Sequence, residues 1–213
     1  MMALSNEEVR TFFFEGLPTT TGATDAELRA AEEQLDHKLP DGFKQLLRLR
    51  KCGGQPVRPC SAALGTTWAK DHVHLGDLMG IVDSRWTPSI FSSRTWIDEW
   101  EYPAIGVAIG FCPSAGHDLV WLDYSTCGRQ GEPRVVHVDQ ENDMRITLLA
   151  ENFVSFVRGL KTEEEFEPDG HLWKRPRRVE VEGGDRPGVV RAALKRLKAF
   201  LGFRGEDRRD IEV

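Results

Sequence analysis

An α+β domain, an antiparallel β-sheet flanked by helices with a basic C-terminal extension, is the architecture this sequence predicts. Three observations carry that expectation. Two amphipathic helical stretches come first, three β-rich segments joined by short turns follow, and one further helix closes the domain before the composition changes near residue 165. Strands linked by short turns are antiparallel neighbours, and helices set apart from them in sequence do not make an alternating α/β fold. A chain of 213 residues suits one domain with an extension. Residues 1–165 are taken as the domain and 166–213 as the charged extension.

Each element has a local reason. Thr24-Asp-Ala-Glu27 is a capping box, and Leu28, Ala31 and Leu35 recur behind it at helical spacing, so a helix runs to about Asp36. Leu39-Pro40 opens a second helix, because proline is tolerated in the first turn, and Phe43, Leu46 and Leu47 form its buried face. Gly53-Gly54 supplies a left-handed stop. Short strands are expected near Val57 and from Val73 to Leu75. The serines and Pro88 around Trp86, Trp96 and Trp100 suggest loop. Ala104–Phe111, Asp118–Tyr124 and Arg134–Asp139 read as strands, with turns at 113–116 and 127–133. Ile146–Leu149 reads as a fourth strand or a helix entry. Asn152–Leu160 reads as the closing helix, with Phe153, Phe156, Val157 and Leu160 on one face. In the extension, Val189, Leu194, Leu197 and Leu201 mark a short amphipathic helix with Arg191, Lys195, Arg196 and Lys198 opposite.

Charge narrows the function classes. Residues 1–160 carry 15 Lys and Arg against 22 Asp and Glu, whereas residues 174–204 carry ten bases against three acids. An acidic domain repels phosphates, so no nucleic-acid partner is expected and a basic protein partner is favoured. No apolar run approaches the roughly 20 residues of a membrane helix, so no membrane association is expected. The first residues place Glu7 and Glu8 where a signal peptide carries base, and Phe12-Phe13-Phe14 is too short for its apolar core, so a cytoplasmic protein is expected. Cys52, Cys60, Cys112 and Cys127 contain no CxxC spacing and read as free thiols.

Chemistry-bearing clusters are sparse. Asp71-His72-Val73-His74, with Cys60 or His117, is the nearest approach to a zinc set, but it lacks the helical i, i+4 histidine spacing, and hydrogen-bonded or surface histidines are the preferred reading. Asp139-Gln-Glu-Asn-Asp143 resembles a calcium-loop fragment without its glycine or distal glutamate. His117-Asp118 and His137-x-Asp139, with Cys112 or Cys127, invite a thiol-enzyme reading without any catalytic signature. No cofactor, metal ligand or catalytic residue is therefore assigned.

The order of segments resembles the SUKH superfamily (Smi/Knr type). The resemblance rests on Asp25-Ala-Glu-Leu, Leu39-Pro-Asp-Gly-Phe-Lys-Gln-Leu-Leu and Cys52-Gly-Gly. It continues in Ile105-Gly-Val-Ala-Ile-Gly, Gly116-His-Asp-Leu-Val-Trp-Leu-Asp-Tyr-Ser, Gly131-Glu-Pro-Arg-Val-Val-His-Val-Asp-Gln-Glu and Leu148-Leu-Ala-Glu-Asn-Phe-Val-Ser-Phe-Val. It runs from about Thr24 to Leu160, with a weak middle from Val57 to Tyr102. Cys52 stands where the family turn usually has Asn.

The resemblance implies an α+β fold and a non-catalytic binding role, in bacteria most often as an immunity protein that blocks a cognate toxin, commonly a nuclease or nucleic-acid deaminase. The alternative it leaves open is a Smi/Knr-like regulatory adaptor that binds a cellular protein. Residues 98–151 give the immunity reading a mechanism, with ten acids against three arginines. An acidic face can occupy the basic active site of a nucleic-acid-processing toxin. An ordinary solvated sheet edge explains the same charge. The expected partner-binding residues are Asp139, Glu141 and Asp143, with Asp98, Glu99 and Glu101 behind them. Trp121 and Tyr124 fall on opposite faces of their strand, and Tyr124 is the candidate aromatic anchor, although both read equally as packing residues. The oligomeric state is left open.

Overall fold

The structure, a computed structural model, describes residues 3–17, 20–82 and 89–166. The chain divides into two compact units, Met1–His171 and Leu172–Val213, and the described residues all lie in the first. The amphipathic helix expected after residue 188, and Trp86 and Pro88, lie outside the described residues.

Five α-helices and eight strands make up the described domain. In chain order they are α1 (Asn6–Arg10), α2 (Asp25–Leu35), α3 (Asp41–Leu49), β1 (Gly53–Gly54), β2 (Cys60–Ala62), β3 (His72–His74), β4 (Asp77–Met79), α4 (Ser93–Trp100), β5 (Gly106–Phe111), β6 (Asp118–Asp123), β7 (Arg134–Asp139), β8 (Arg145–Ala150) and α5 (Phe153–Gly159). The order β1-β4-β5-β6-β7-β8 forms one antiparallel sheet, and β2 and β3 pair in a second, small one. The chain is therefore an α+β fold.

Local chemistry explains the boundaries. Thr24 closes the predicted capping box: its hydroxyl accepts from Glu27 N–H while Glu27 accepts from Thr24 N–H at 2.7 Å. Pro40 stands at the N-cap of α3. Gly53 has φ +67°, and a Cβ there would come within 2.0 Å of the Leu78 carbonyl oxygen, so only glycine lets β1 pair with β4.

Strand β6 is buried along its whole length, which explains its near-continuous apolar reading. Directly paired residues share a face of a sheet, so Leu119 and Trp121 lie on one face with Val136, Val138, Ile146 and Leu148, while Asp118 and Val120 lie on the other with His137, Asp139 and Thr147. Helix α4 covers the first face: Trp96 meets Tyr102 edge-on at 6.2 Å, and Tyr102 stacks on Trp121 at 5.6 Å. Phe43 of α3 meets Phe153 of α5 at 5.2 Å, and α5 packs on β7 and β8.

Two expectations are corrected, and one left open between two alternatives is decided. No strand forms at Val57, whose N–H instead donates to the Phe12 carbonyl at 2.8 Å, and the strand starts at Cys60. Trp96 and Trp100 belong to a helix: their i, i+4 spacing brings the rings to 5.1 Å, a periodicity hidden by the flanking serines. Ile146–Leu149 resolves as strand, because β7 offers it a free edge.

Candidate partner-binding surface

The two acidic segments, Asp98–Glu101 and Asp139–Asp143, begin 41 residues apart in sequence and meet at one end of the large sheet. Gln140 holds them together. Its N–H donates to the His117 carbonyl at 2.9 Å, and its Nε2 donates to the Trp100 carbonyl at 3.3 Å. His117, in the β5–β6 turn, pairs through Nδ1 with Glu141 Oε1 at 2.8 Å, and its ring lies 6.2 Å from that of Trp100. Glu99, Glu101, Glu141 and Asp143 are exposed. Asp98 is also exposed and pairs with Arg94 one helical turn earlier at 2.6 Å.

This rim breaks local rules. Asp98, Glu99 and Glu101 sit at the C-terminal end of α4, where the helix dipole disfavours negative charge, and no base lies in that last turn. Five non-glycine residues among those described have left-handed φ, and four of them (Glu101, Ala115, Asp143 and Met144) fall in the connections at this end. Such backbone is strained for side chains bearing a Cβ and collects at functional sites.

An apolar stripe adjoins the acids. Ile146 and Leu148 are 44% and 46% exposed on edge strand β8, on the same sheet face that α4 covers further along. The sequence reading missed them. Their i, i+2 alternation between Asp143 and Glu151 was the available signal.

Two expected surface residues are not at the surface. Asp139 is fully buried, and its carboxylate accepts from Thr67 N–H and from the Thr67 hydroxyl, each at 2.8 Å. It ends a strand whose inward face is covered, so its charge is absent from the rim. Tyr124 is buried beyond the opposite end of β6. Its hydroxyl donates to the Lys38 carbonyl at 2.6 Å, its ring meets His37 edge-on at 4.6 Å, and burial raises its phenol well above the ordinary value. Tyr124 and His37 line an open cleft of about 670 Å³ with Leu35, Phe91, Ile97 and Ile105.

One thiol and imidazole pair up among the described residues, Cys60 Sγ with His74 Nδ1 at 3.9 Å, but the Cys60 thiol is not activated. Burial pushes Cys60 up to about 12 and raises Cys112 and Cys127. Low thiolate character makes all three poor nucleophiles. The sequence-suggested zinc residues diverge: His72 bonds Asp71 at 2.9 Å and stacks on Phe166, His74 faces Cys60 Sγ at 3.9 Å, and His117 belongs to the rim. A different trio converges. Asp118, His137 and Asp139 are all buried, and one ligand-type atom from each lies within 4.8 Å of the other two.

No helix among the described residues is long and apolar enough to cross a membrane. A family model, the SMI1 / KNR4 family (SUKH-1), matches residues 22–159, the span from the α2 cap to α5. No curated protein and no solved structure matches the chain.

Proposed function

This chain belongs to the SMI1 / KNR4 family (SUKH-1), and from that premise we propose that it is a non-catalytic immunity protein that neutralises a cognate bacterial toxin in the cytoplasm by binding it. The toxin is one with a basic, phosphate-holding active site, a nuclease or a nucleic-acid deaminase. The observation that carries this reading is the convergence of Glu99, Glu101, Glu141 and Asp143 on one strained rim beside exposed Ile146 and Leu148. An acidic rim steers a basic partner and occludes its phosphate site, while a small apolar patch supplies the desolvated contact that holds a complex together. Asp98, already paired with Arg94, contributes less. The same charge disfavours nucleic acid as a direct partner.

The test uses the full chain as bait in its native host, followed by binding of the purified partner to the wild type and to the double variant Glu101→Lys, Glu141→Lys. One toxin recovered at near-stoichiometric yield, bound at least about tenfold more weakly by the variant, supports the reading. A toxin bound equally by both moves the interface elsewhere. Recovery of housekeeping or cell-envelope proteins alone replaces immunity with the regulatory-adaptor role.

A further inference from the structure

Beneath the rim lies a group of side chains that partner binding does not use. Asp118 opens β6, while His137 and Asp139 are two residues apart near the end of β7. The strand register sets all three on one face. Asp118 is 3% exposed, and His137 and Asp139 are fully buried. Among the described residues, neither carboxylate forms an ion pair with Lys or Arg. Two neighbouring carboxylates out of water repel each other and are costly to bury without a cation.

The unsatisfied atoms show where that cation belongs. Asp118 Oδ1 and both ring nitrogens of His137 lack a hydrogen-bond partner in the protein. His137 Nε2 stands 3.3 Å from Asp118 Oδ1 without hydrogen-bond alignment. Two ligands of a tetrahedral ion with ~2.0 Å bonds are separated by ~3.3 Å. Asp139 completes the set, and Thr67, donating twice to it, fixes its orientation as outer partners do for metal-binding carboxylates.

We propose that Asp118, His137 and Asp139 form a buried site for one first-row divalent transition-metal ion, with zinc or manganese the chemistry that one imidazole and two carboxylates suit. The dication neutralises both carboxylates and ties the ends of β6 and β7 to the Thr67 loop, at the root of the acidic rim. The inference is independent of the toxin.

Zinc is titrated into the metal-free full chain by calorimetry, with thermal unfolding followed in parallel, and cobalt serves as the spectroscopic probe. One equivalent is expected. Zinc at about a hundredfold excess over Kd should raise Tm by about 5–10 °C. The cobalt form should show ligand-field bands without thiolate charge transfer, and Cys60→Ser should leave binding unchanged. Asp118→Asn and His137→Gln, verified as folded by circular dichroism, should each bind zinc at least about tenfold more weakly. Metal-free Asp118→Asn should melt above the metal-free wild type, because it removes one of two opposed buried charges. No binding of zinc, manganese or cobalt by the folded wild type, a thiolate band, or undiminished binding by both variants would overturn the site.

Discussion

Asp139 and Glu141 are two residues apart in sequence and have opposite fates. Asp139 lies inside the domain under Thr67, and Glu141 stands in solvent against His117. The same contrast holds between the two regions they represent. The buried trio of Asp118, His137 and Asp139 faces the side of the sheet away from α4, where Thr67 reaches Asp139. The rim of Glu99, Glu101, Glu141 and Asp143 occupies the connections beyond the strand ends. A carboxylate inside the domain is answerable to its own fold, because each missing partner costs folding free energy. A carboxylate on the rim costs the fold little and is free to serve another molecule.

The largest test of that contrast is Asp139→Ala. It strands the Thr67 N–H and hydroxyl inside the domain, so urea unfolding should show a loss of about 3 kcal/mol, against under about 0.5 kcal/mol for Glu141→Ala. Equal small losses would dissolve the distinction. Next comes the rim double reversal, Glu101→Lys with Glu141→Lys. It should weaken the toxin complex by at least about tenfold, chiefly through a slower association rate that converges with wild type at high salt. Glu99→Lys should separate the two regions by sign. A base in the last turn of α4 stabilises the helix by about 0.5 kcal/mol in chemical denaturation, while surface-plasmon binding to the partner weakens.

The smallest effect concerns a half-buried acid held by the backbone N–H of Thr24 and by Lys51. Glu27 is held down at about 2, first by the Thr24 N–H, then by Lys51 and the Thr24 hydroxyl. Since its folded value lies below its unfolded one, its contribution is present above about 4.5 and is lost as pH falls towards about 2. Acid titration of the melting temperature should therefore fall less steeply through that window in Glu27→Gln. An identical slope would mean that the capping box is no better satisfied than the rim.

The elements with a short-range cause were legible in the sequence. Thr24 with Glu27, Pro40 and the β-branched and aromatic residues along β6 and β7 each act within a few residues, and the structure places a cap, a helix start and two paired strands there. Helix α4 was not legible, because its best evidence, Trp96 and Trp100 on one face, sat among serines that favour loop and gained its partner only from Tyr102 and Trp121 of other elements. Acidity of residues 98–151 was visible as a count, but a count treats Asp139, Glu101 and Asp118 alike.

Sequence by itself thus determined the family, the α+β class and the acidic character of the domain, since these follow from local patterning and composition. Tertiary structure alone decided which acids reach solvent, that Gln140 joins two distant segments, that Ile146 and Leu148 stay uncovered, and that Tyr124 spends its hydroxyl on Lys38. The reason is register. The side-chain period of a strand is two residues, so one face is set only when the neighbouring strands and helices are in place, and burial of a charge is a property of that assembly.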